Sequence, residues 1–381
     1  MTAPKPCLLT FIDWYTPAYK AGGPIRSVSN MAALLESEFE IFVYTGNQDI
    51  DGTKIDKTEN EWHEGLFGEK ILYNNTPKLN TLKQFIKEHP EATFHINGIY
   101  SLRFSILPLL YIKLLNLGTK TILSPRGMLG SGAMKIKPFK KKVFLLLAKS
   151  LGLYKNITWH ATSTEEKANI LHKIGNNAKV TLVQNIPSKT TKEIYKIEKE
   201  KGKLKMTSIS RVAPIKKFEV ILESLLSFPI NEISIEWNIY GPIEDPEYKK
   251  ILLEKASKIP YLNLQFEGAI NPDCISEIIT KSHLFCLPSA NENYGHAIVE
   301  SFANACPVLI SDKTPWQKLK TNNAGMDIPL ANKSEFSKAI YYFANLNQEE
   351  WLLWQKGAHE FALNMQNDEK LKEAYKSLFT K

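Results

Sequence analysis

Two glutamates with seven residues between them, Glu292 and Glu300, flank an aromatic-Gly-His trio in NENYGHAIVESFANACPV, Asn291 to Val308. The stretch follows a β-like run, HLFCLP, His283 to Pro288. This order predicts a loop from Ser289 to Tyr294 and a helix that begins near Gly295 and runs through AIVESFANA. The N–H groups at such a helix start favour an oxygen-rich anionic ligand. Glu292 falls in the loop, ahead of that terminus. Glu300 falls inside the helix, with its Cβ leaning back toward the N-terminal end, so both carboxylates can converge on one ligand. An ionised carboxylate only accepts hydrogen bonds, which suits adjacent sugar hydroxyls. The competing reading makes Glu292 a surface loop residue and Glu300 a helix-surface residue.

Cations are placed in a comparable way. In ISRVAPIKKFEVILESL, Ser210-Arg211 ends a strand-like run and Lys216-Lys217 opens a helix after Pro214. Arg211 and Lys216 would both stand at the carboxyl edge of a sheet. Two fixed cations there would clamp a diphosphate, Arg through its fork and Lys as a point charge; solvated surface charge is the alternative. Near the amino terminus, FIDWYTPAYKAGGPIRSVSNMAALLE runs from a strand through a loop to Gly22-Gly23-Pro24 and a helix. Pro24 suits a first helical turn. Paired glycines let backbone N–H groups approach an anion closely, and an ordinary strand–helix turn carries the same signature. The sequence has no G-x-G-x-x-G, no G-x-x-x-x-G-K-[ST], no G-x-S-x-G and no H-E-x-x-H. These absences weigh against dinucleotide oxidoreductases, P-loop NTPases, α/β-hydrolases and zincins. The eight histidines show no metal-ligand spacing.

The elements that must position these residues are short apolar runs alternating with helical patterns. CLLTFI (7–12), EIFVYT (40–45), TFHI (93–96), KTILS (120–124), ITWHA (157–161) and KVTLV (179–183) form a first set. LKMTSIS (204–210), ISIEWNIY (233–240), NLQF (263–266), HLFCLP (283–288) and PVLIS (307–311) form a second. Such runs between helices indicate parallel strands covered on both faces and an α/β class with right-handed crossovers. The charged stretch Lys189 to Lys203 reads as a linker between two doubly wound halves. Ligands of such sheets bind beyond the carboxyl ends of the strands, which makes the cleft between domains the expected site. The last helix, Asp368 to Phe379, could pack on either domain.

The 381-residue chain has globular composition, 43% hydrophobic and 23% charged. No apolar run is long enough for a membrane span, and MTAPKPCLLTFIDWY lacks the basic start and apolar region of a signal peptide. Cys7, Cys274, Cys286 and Cys306 read as reduced core residues, so a cytosolic protein is expected. The net charge of +8 is unevenly spread: residues 92–164 hold eleven Lys and Arg and no Asp or Glu. Within them KIKPFKKKVFLLLAKSLGLYK, Lys135 to Lys155, reads as a basic helix with an apolar face. It would either lie on an anionic membrane surface or pack its Leu face into its own domain. No nucleic-acid module accompanies the basic stretch, so nucleic acid is not an expected partner.

Together these residues resemble a retaining glycosyltransferase of family 4, with the two-domain GT-B fold. The resemblance covers nearly the whole chain. Its most specific part is Glu292-x7-Glu300 in ANENYGHAIVESFANACPV. SRVAPIKK matches the family's Arg-x4-Lys diphosphate clamp, with Lys217 where glycine is usual. PAYKAGGPIRS matches the N-terminal Gly-rich loop, and SPRGMLGSGAMKIKPFKKK, Ser124 to Lys142, is similar to a subgroup in bacterial surface-polysaccharide assembly. Tyr294 stands where the family usually has Phe. Ala305 stands where it usually has Gly, at what is expected to be a close helix contact that tolerates a methyl group.

The resemblance implies an acceptor-side Rossmann-like domain, 1–186, and a nucleotide-sugar-binding one, 187–365, facing each other across a central cleft, with a final helix, 366–381, returning to the first. Glu300 would hold the ribose hydroxyls. Glu292 and the backbone around Tyr294, Gly295 and His296 would hold the transferred sugar, and Arg211 and Lys216 would neutralise the leaving diphosphate. Gly22 and Gly23 would close on the same phosphates. Many members carry a histidine where this chain has Arg126, which could contact a phosphate, the donor sugar or an anionic acceptor. His95 and Asn97 become acceptor-side candidates, with a core role equally open for His95. The implied reaction moves a hexose-type sugar to a glycan or lipid-linked acceptor in surface polysaccharide assembly, without metal or cofactor. The nucleotide-sugar is a substrate, with a UDP-sugar favoured over a GDP-sugar. The implied location is cytoplasmic, at the inner leaflet of the cell membrane. The alternatives are a nucleotide-sugar epimerase or hydrolase of the same fold and a non-catalytic nucleotide-binding assembly protein.

Overall fold

The structure, a computed structural model, describes residues 4–116, 118–135, 137–190, 194–195, 197–226, 233–366 and 368–380. The chain divides into two compact units, Met1–Ile186 with Asn367–Lys381, and Pro187–Gln366.

The first unit comprises β1 (Cys7–Phe11), α1 (Gly23–Leu35), β2 (Glu40–Thr45), β3 (Trp62–Glu64), β4 (Lys70–Tyr73), α2 (Leu79–Glu88), β5 (Thr93–Asn97), α3 (Leu107–Leu114), β6 (Thr121–Ser124), α4 (Ser131–Lys135), α5 (Pro138–Ser150), β7 (Ile157–Ala161), α6 (Thr164–Ile174) and β8 (Lys179–Leu182). Its sheet runs β3-β4-β2-β1-β5-β6-β7-β8, parallel except for β3. Burial on both faces is visible along β1. Leu9 and Phe11 join one core with Phe94, Leu123 and Trp159, while Leu8 and Ile12 join another with Val28, Met31 and Ile122.

The second unit comprises β9 (Lys203–Ile209), α7 (Phe218–Leu226), β10 (Ser234–Tyr240), α8 (Pro246–Ala256), β11 (Leu262–Gly268), α9 (Ile275–Thr280), β12 (Leu284–Leu287), α10 (His296–Ala303), β13 (Val308–Ser311), β14 (Gly325–Ile328), α11 (Lys333–Asn345) and α12 (Gln348–Met365). Its parallel sheet runs β11-β10-β9-β12-β13-β14 around a core that includes Trp237, Phe285, Phe302, Phe336 and Trp351. The final helix, α13 (Asp368–Thr380), packs on the first unit. Tyr375, Leu378 and Phe379 enter its core, Tyr375 Oη donates to Gln184 O at 3.1 Å, and Thr93 Oγ1 donates to Phe379 O at 2.9 Å.

Every run that reads as a strand in the sequence forms one. β3, β4 and β14 carry no such signal, being three or four residues long and lying at or next to a sheet edge. Three expectations change. The basic stretch is not one helix: α4 ends at Lys135, Lys137 is left-handed at φ 51° and Pro138 opens α5, with residue 136 outside the described residues. Proline removes a backbone donor and starts a helix rather than continuing one. Cys274 is exposed, whereas Cys7, Cys286 and Cys306 are buried. The charged stretch 189–203, of which residues 191–193 and 196 lie outside the described residues, is tied into the second unit through Lys199. That ammonium is buried and donates to the carbonyls of Glu200, Ala344 and Leu346, closing the C-terminal end of α11. Burial brings its pKa down to about 8.

Lys217 and Ala305, both glycine in the family pattern, adopt φ of 58° and 55°. The demand at Ala305 is therefore on the backbone rather than on helix contact. A left-handed non-glycine residue costs about 1–2 kcal/mol, and glycine loses about 0.5–1 kcal/mol more chain entropy on folding. Lys217→Gly is expected to stabilise the second unit by about 0.5–1 kcal/mol, read as a higher urea midpoint at unchanged m. A lower midpoint would mean that the Lys217–Glu219 ion pair outweighs the backbone strain.

Candidate active site

The second unit gathers polar side chains at the carboxyl edge of β9, β12 and β13. β9 passes through Arg211 into a turn of 3-10 helix, Pro214–Lys216, before α7. β12 passes through the 289–294 loop into α10. Ala290 donates its backbone N–H to Ile215 O at 2.8 Å and joins the two loops. Lys216 Nζ then reaches Glu292 Oε1 at 2.6 Å, both side chains 13% exposed, and Ser289 Oγ donates to the same oxygen at 2.6 Å. A third loop supports the second: Ser311 Oγ donates to Ser289 O and Glu292 donates its N–H to Lys313 O. Such a shielded, hydrogen-bonded pair resists salt and solvent more than a surface pair does.

α10 begins where the sequence places it. Gly295 is its N-cap at φ 77°, and an added Cβ would stand 2.8 Å from Ile298 Cδ1. The Tyr294 and His296 rings meet edge to face at 4.9 Å. Trp316 holds them: its Nε1 donates to Tyr294 O at 2.6 Å and its ring lies 5.4 Å from that of Tyr294. Glu300 lies on the second turn, 6% exposed, so it is not the helix-surface residue of the competing reading. Arg211 does not join Lys216 and Glu292. It is exposed and forms an ion pair with Glu244, a contact of the kind worth about 0–1 kcal/mol, so a diphosphate can draw it away.

In the first unit a second polar cluster forms at the carboxyl edge of β5, β6 and β8. Arg126 sits in a left-handed turn, φ 54°, just past β6. Its Nε donates to Asn97 Oδ1 at 2.6 Å and its Nη1 to Asn185 Oδ1 at 2.8 Å; Nη2 has no hydrogen-bond partner among the described residues. Glu166, buried at the start of α6, takes the Gly127 N–H at 2.6 Å and the Thr162 N–H and hydroxyl, pinning the turn. Burial pulls the Arg126 pKa down, against Tyr375 and Glu166, and an arginine stays charged under such a shift.

His95 is corrected. It is fully buried under α13, between Thr10 Oγ1 and Ser124 Oγ, with Phe379 edge-on at 5.5 Å, and is a core histidine rather than an acceptor-side residue. Asn97 remains as the Arg126 partner. Gly22 N-caps α1 at φ 74° but donates its own N–H to Tyr19 O. Its N–H is therefore committed within the chain, and its part is to turn the backbone into the helix; Gly23 is the first helical residue.

Sequence reasoning passed over Asp13, Asn185, Glu166, Ser289 and Trp316. Asp13 lies two residues past β1 in FIDWY and accepts from Ser101 Oγ at 2.5 Å; burial pushes its carboxyl up. Asn185 follows β8 in VQNIP. Both stand where the strand-end rule looks for ligands, and that position was the available signal. Among the described residues no group of three His, Cys, Asp or Glu is placed to hold a metal ion, and no helix is long and apolar enough to cross a membrane.

Residues 189–351 match the family Glycosyl transferases group 1. No curated protein matches the chain. Among solved structures the chain is similar to sucrose-phosphate synthase from Thermosynechococcus elongatus, with a TM-score of 0.71, 14% identity and 98% of each chain covered. It is similar to HepE from Anabaena in complex with UDP and glucose, at 0.69, 14% and 98% of each chain. WaaG, a glycosyltransferase involved in lipopolysaccharide biosynthesis, aligns at 0.67 and 12% over 98% of this chain and 99% of that one. The fold is thus the two-domain α/β GT-B fold with parallel sheets, and the family match supports a glycosyltransferase.

The buried histidines generate a pH prediction. Burial, with Arg126 beside them, holds His95 well below its ordinary 6.5 and brings His160 to about 3; burial brings His283 to about 4. Below pH 6.5 the unfolded chain binds protons that the folded one refuses, so stability falls as pH falls. His160 and His283 are each expected to cost about 2 kcal/mol at pH 5 relative to pH 7, and His95 acts in the same direction. Urea unfolding at the two values checks this; an unchanged midpoint would mean that these imidazoles take protons within the fold.

Proposed function

We propose that the protein is a retaining, metal-independent hexosyltransferase of family 4. In this reading it moves a sugar from a nucleotide-sugar, a UDP-sugar by preference, to a glycan or lipid-linked acceptor in surface polysaccharide assembly. The observation that carries the reading is the pairing of Lys216 with Glu292 beside the N-terminus of α10, with Glu300 one turn into that helix. The UDP-bound relative of the same fold supports the choice of donor.

In this reading Glu300 accepts hydrogen bonds from the ribose, and Glu292 with the backbone of Tyr294 to His296 holds the transferred sugar. The diphosphate takes Lys216 and draws Arg211 from Glu244. As the bond from the anomeric carbon to the leaving oxygen stretches, positive charge grows on the sugar ring and negative charge on the β-phosphate. Arg211, Lys216 and the end of α10 face that negative charge already oriented, which supplies transition-state stabilisation without reorganisation. The leaving phosphate takes the acceptor proton as the acceptor oxygen bonds to the anomeric carbon on the same face. Arg126, with Asn97 and Asn185 fixing its plane, suits an anionic group of the acceptor or donor.

A cytoplasmic protein at the inner membrane leaflet accords with the surface of α5. That helix buries Leu145 and Ala148 and leaves Phe139 77% and Leu146 70% exposed among its lysines, with Leu102, Leu114 and Leu151 also exposed. Apolar side chains interleaved with lysines are the composition that anionic bilayers bind.

A nucleotide at a hundred times its Kd adds about 2.7 kcal/mol, roughly 5–10 °C for a unit of this size. UDP without metal is expected to raise the Tm of the wild type by this amount and that of Glu300→Gln by much less. Lys216→Met is expected to lose about 10²–10³ in kcat for donor turnover. If none of UDP, GDP, ADP and dTDP shifts the Tm at saturation, the transferase reading fails. In flotation, the protein should rise with phosphatidylglycerol vesicles at low salt, and Phe139→Asp/Leu146→Asp should stay in the dense fraction; flotation indifferent to charge, salt and substitution would remove the membrane from the proposal.

A further inference from the structure

In each unit the sheet grows outward on one side of its first strand and then resumes on the other side. In the second unit β10 and β11 lie on one side of β9 and β12 on the other. The order therefore reverses between β9 and β12, the strands that lead to Lys216 and Glu292. In the first unit β2 and β4 lie on one side of β1 and β5 on the other, so the reversal falls between β1 and β5. Loops that leave the carboxyl ends at such a reversal diverge and open a crevice where ligands bind. Two side chains meet at the first unit's reversal: Asp13, just past β1, and Ser101, just past β5.

Ser101 caps a single π-helical turn, Leu102–Ile106, by accepting the Phe104 N–H at 3.0 Å; such turns recur at functional sites. Its own proton is thereby directed to Asp13 Oδ1, at 2.5 Å, which fixes the carboxylate. The second oxygen, Oδ2, meets no neighbouring residue among the described residues. On the other side of Asp13, Gly46 follows β2 and donates its N–H to Asp13 O at 3.2 Å. A Cβ at Gly46 would stand 2.9 Å from Asp13 O and 3.4 Å from Asn75 Oδ1, so glycine lets the loops after β1 and β4 approach each other. The Asn47 N–H donates to Asn75 Oδ1 at 3.3 Å and orients that amide, which leaves Nδ2 without a partner among the described residues. Asp13, Ser101 and Asn75 are all part-exposed, and none of their polar atoms is sealed from solvent unpaired. Burial raises the Asp13 pKa, with Ser101 and Arg103 opposing; the fold keeps an anion where a neutral side chain would cost less.

We propose that Asp13 is a specificity-determining residue that reads the hydroxyls of a neutral sugar, its second oxygen accepting from one hydroxyl while Asn75 Nδ2 donates to another. An ionised carboxylate only accepts and an amide N–H only donates. The pair therefore demands a ligand whose groups do both, as sugar hydroxyls do and a phosphate dianion does not. That this sugar belongs to the acceptor rests on the transfer reaction proposed above.

The test is saturation-transfer NMR of the whole protein with the methyl α-glycosides of glucose, galactose and mannose, on wild type, Asp13→Asn and Asn75→Ala. At least one glycoside is expected to bind the wild type. Its binding should be at least about tenfold weaker in Asp13→Asn, where a hydrogen bond to a charged group is lost, and measurably weaker in Asn75→Ala. Asp13→Asn keeps the shape of the side chain and relieves a part-buried charge, so its ligand-free Tm should be equal or higher. Monodeoxy forms of the bound glycoside separate contact from packing. The form that lacks the hydroxyl read by Asp13 should bind the wild type weakly and lose little more in Asp13→Asn, because one interaction is not lost twice. The UDP-induced rise in Tm should be the same in Asp13→Asn as in the wild type. Glycoside binding to a wild type that UDP fails to shift supports the site and sinks the transfer reading. A UDP shift with no glycoside bound, with binding undiminished in Asp13→Asn, or with losses that add for every deoxy form, overturns the proposal.

Discussion

One backbone hydrogen bond, from Ala290 N–H to Ile215 O, sets the chemistry of the second unit. The loops it joins leave β9 and β12, neighbours in the sheet but more than seventy residues apart in the chain. A parallel sheet covered on both faces has no room for charge within its body, so charged groups collect where the strands end. Once the loops are tied, Lys216 and Glu292 meet at low exposure, and Ser289 takes up the same carboxylate oxygen. The Lys313 carbonyl and Ser311 hydroxyl extend the tie to β13, and Trp316 carries it to Tyr294 and the start of α10. The site is thus held by main-chain bonds and a ring contact, with the ion pair laid on top.

The first unit solves a related problem differently. Its cation, Arg126, is not paired with a carboxylate directly. Two asparagine carbonyls hold the guanidinium, and Glu166 grips the turn that carries it. An arginine kept partly buried by neutral acceptors retains attraction for an anion that a paired one would have spent. The left-handed backbone at Arg126 and the glycine after it are the local strain that this placement requires. Beneath it, His95 and His160 form a neutral chain through Ser124, which keeps the cation above them from being matched by a second one below.

The acid-free stretch from residue 92 to 164 serves two surfaces. On α5 its lysines alternate with exposed apolar side chains. At the amino edge of the sheet Lys120 and Lys155 stand near Lys179. Among the described residues no carboxylate forms an ion pair with these lysines, so attraction for an external anion is undiminished by internal pairing.

The sequence by itself determined the α/β class, the strands with continuous apolar runs, the start of α10 at Gly295, the positions of Glu292, Arg211 and Lys216 past strand ends and that of Glu300 within α10. Those features are local: apolar run length, a glycine able to turn left-handed, a proline in a first turn. It also held a pattern whose reason only the backbone supplied, since Lys217 and Ala305 stand at positive φ. Tertiary structure decided the rest because the partners are remote in the chain. Whether Arg211 sits with Lys216 or with Glu244, whether His95 faces a ligand or the underside of α13, and whether Lys199 belongs to a linker or caps α11 all depend on groups brought near by packing. Short edge strands and the amino-edge lysines were illegible for the same reason. Their residues acquire meaning from the register of neighbouring strands, which no local periodicity encodes.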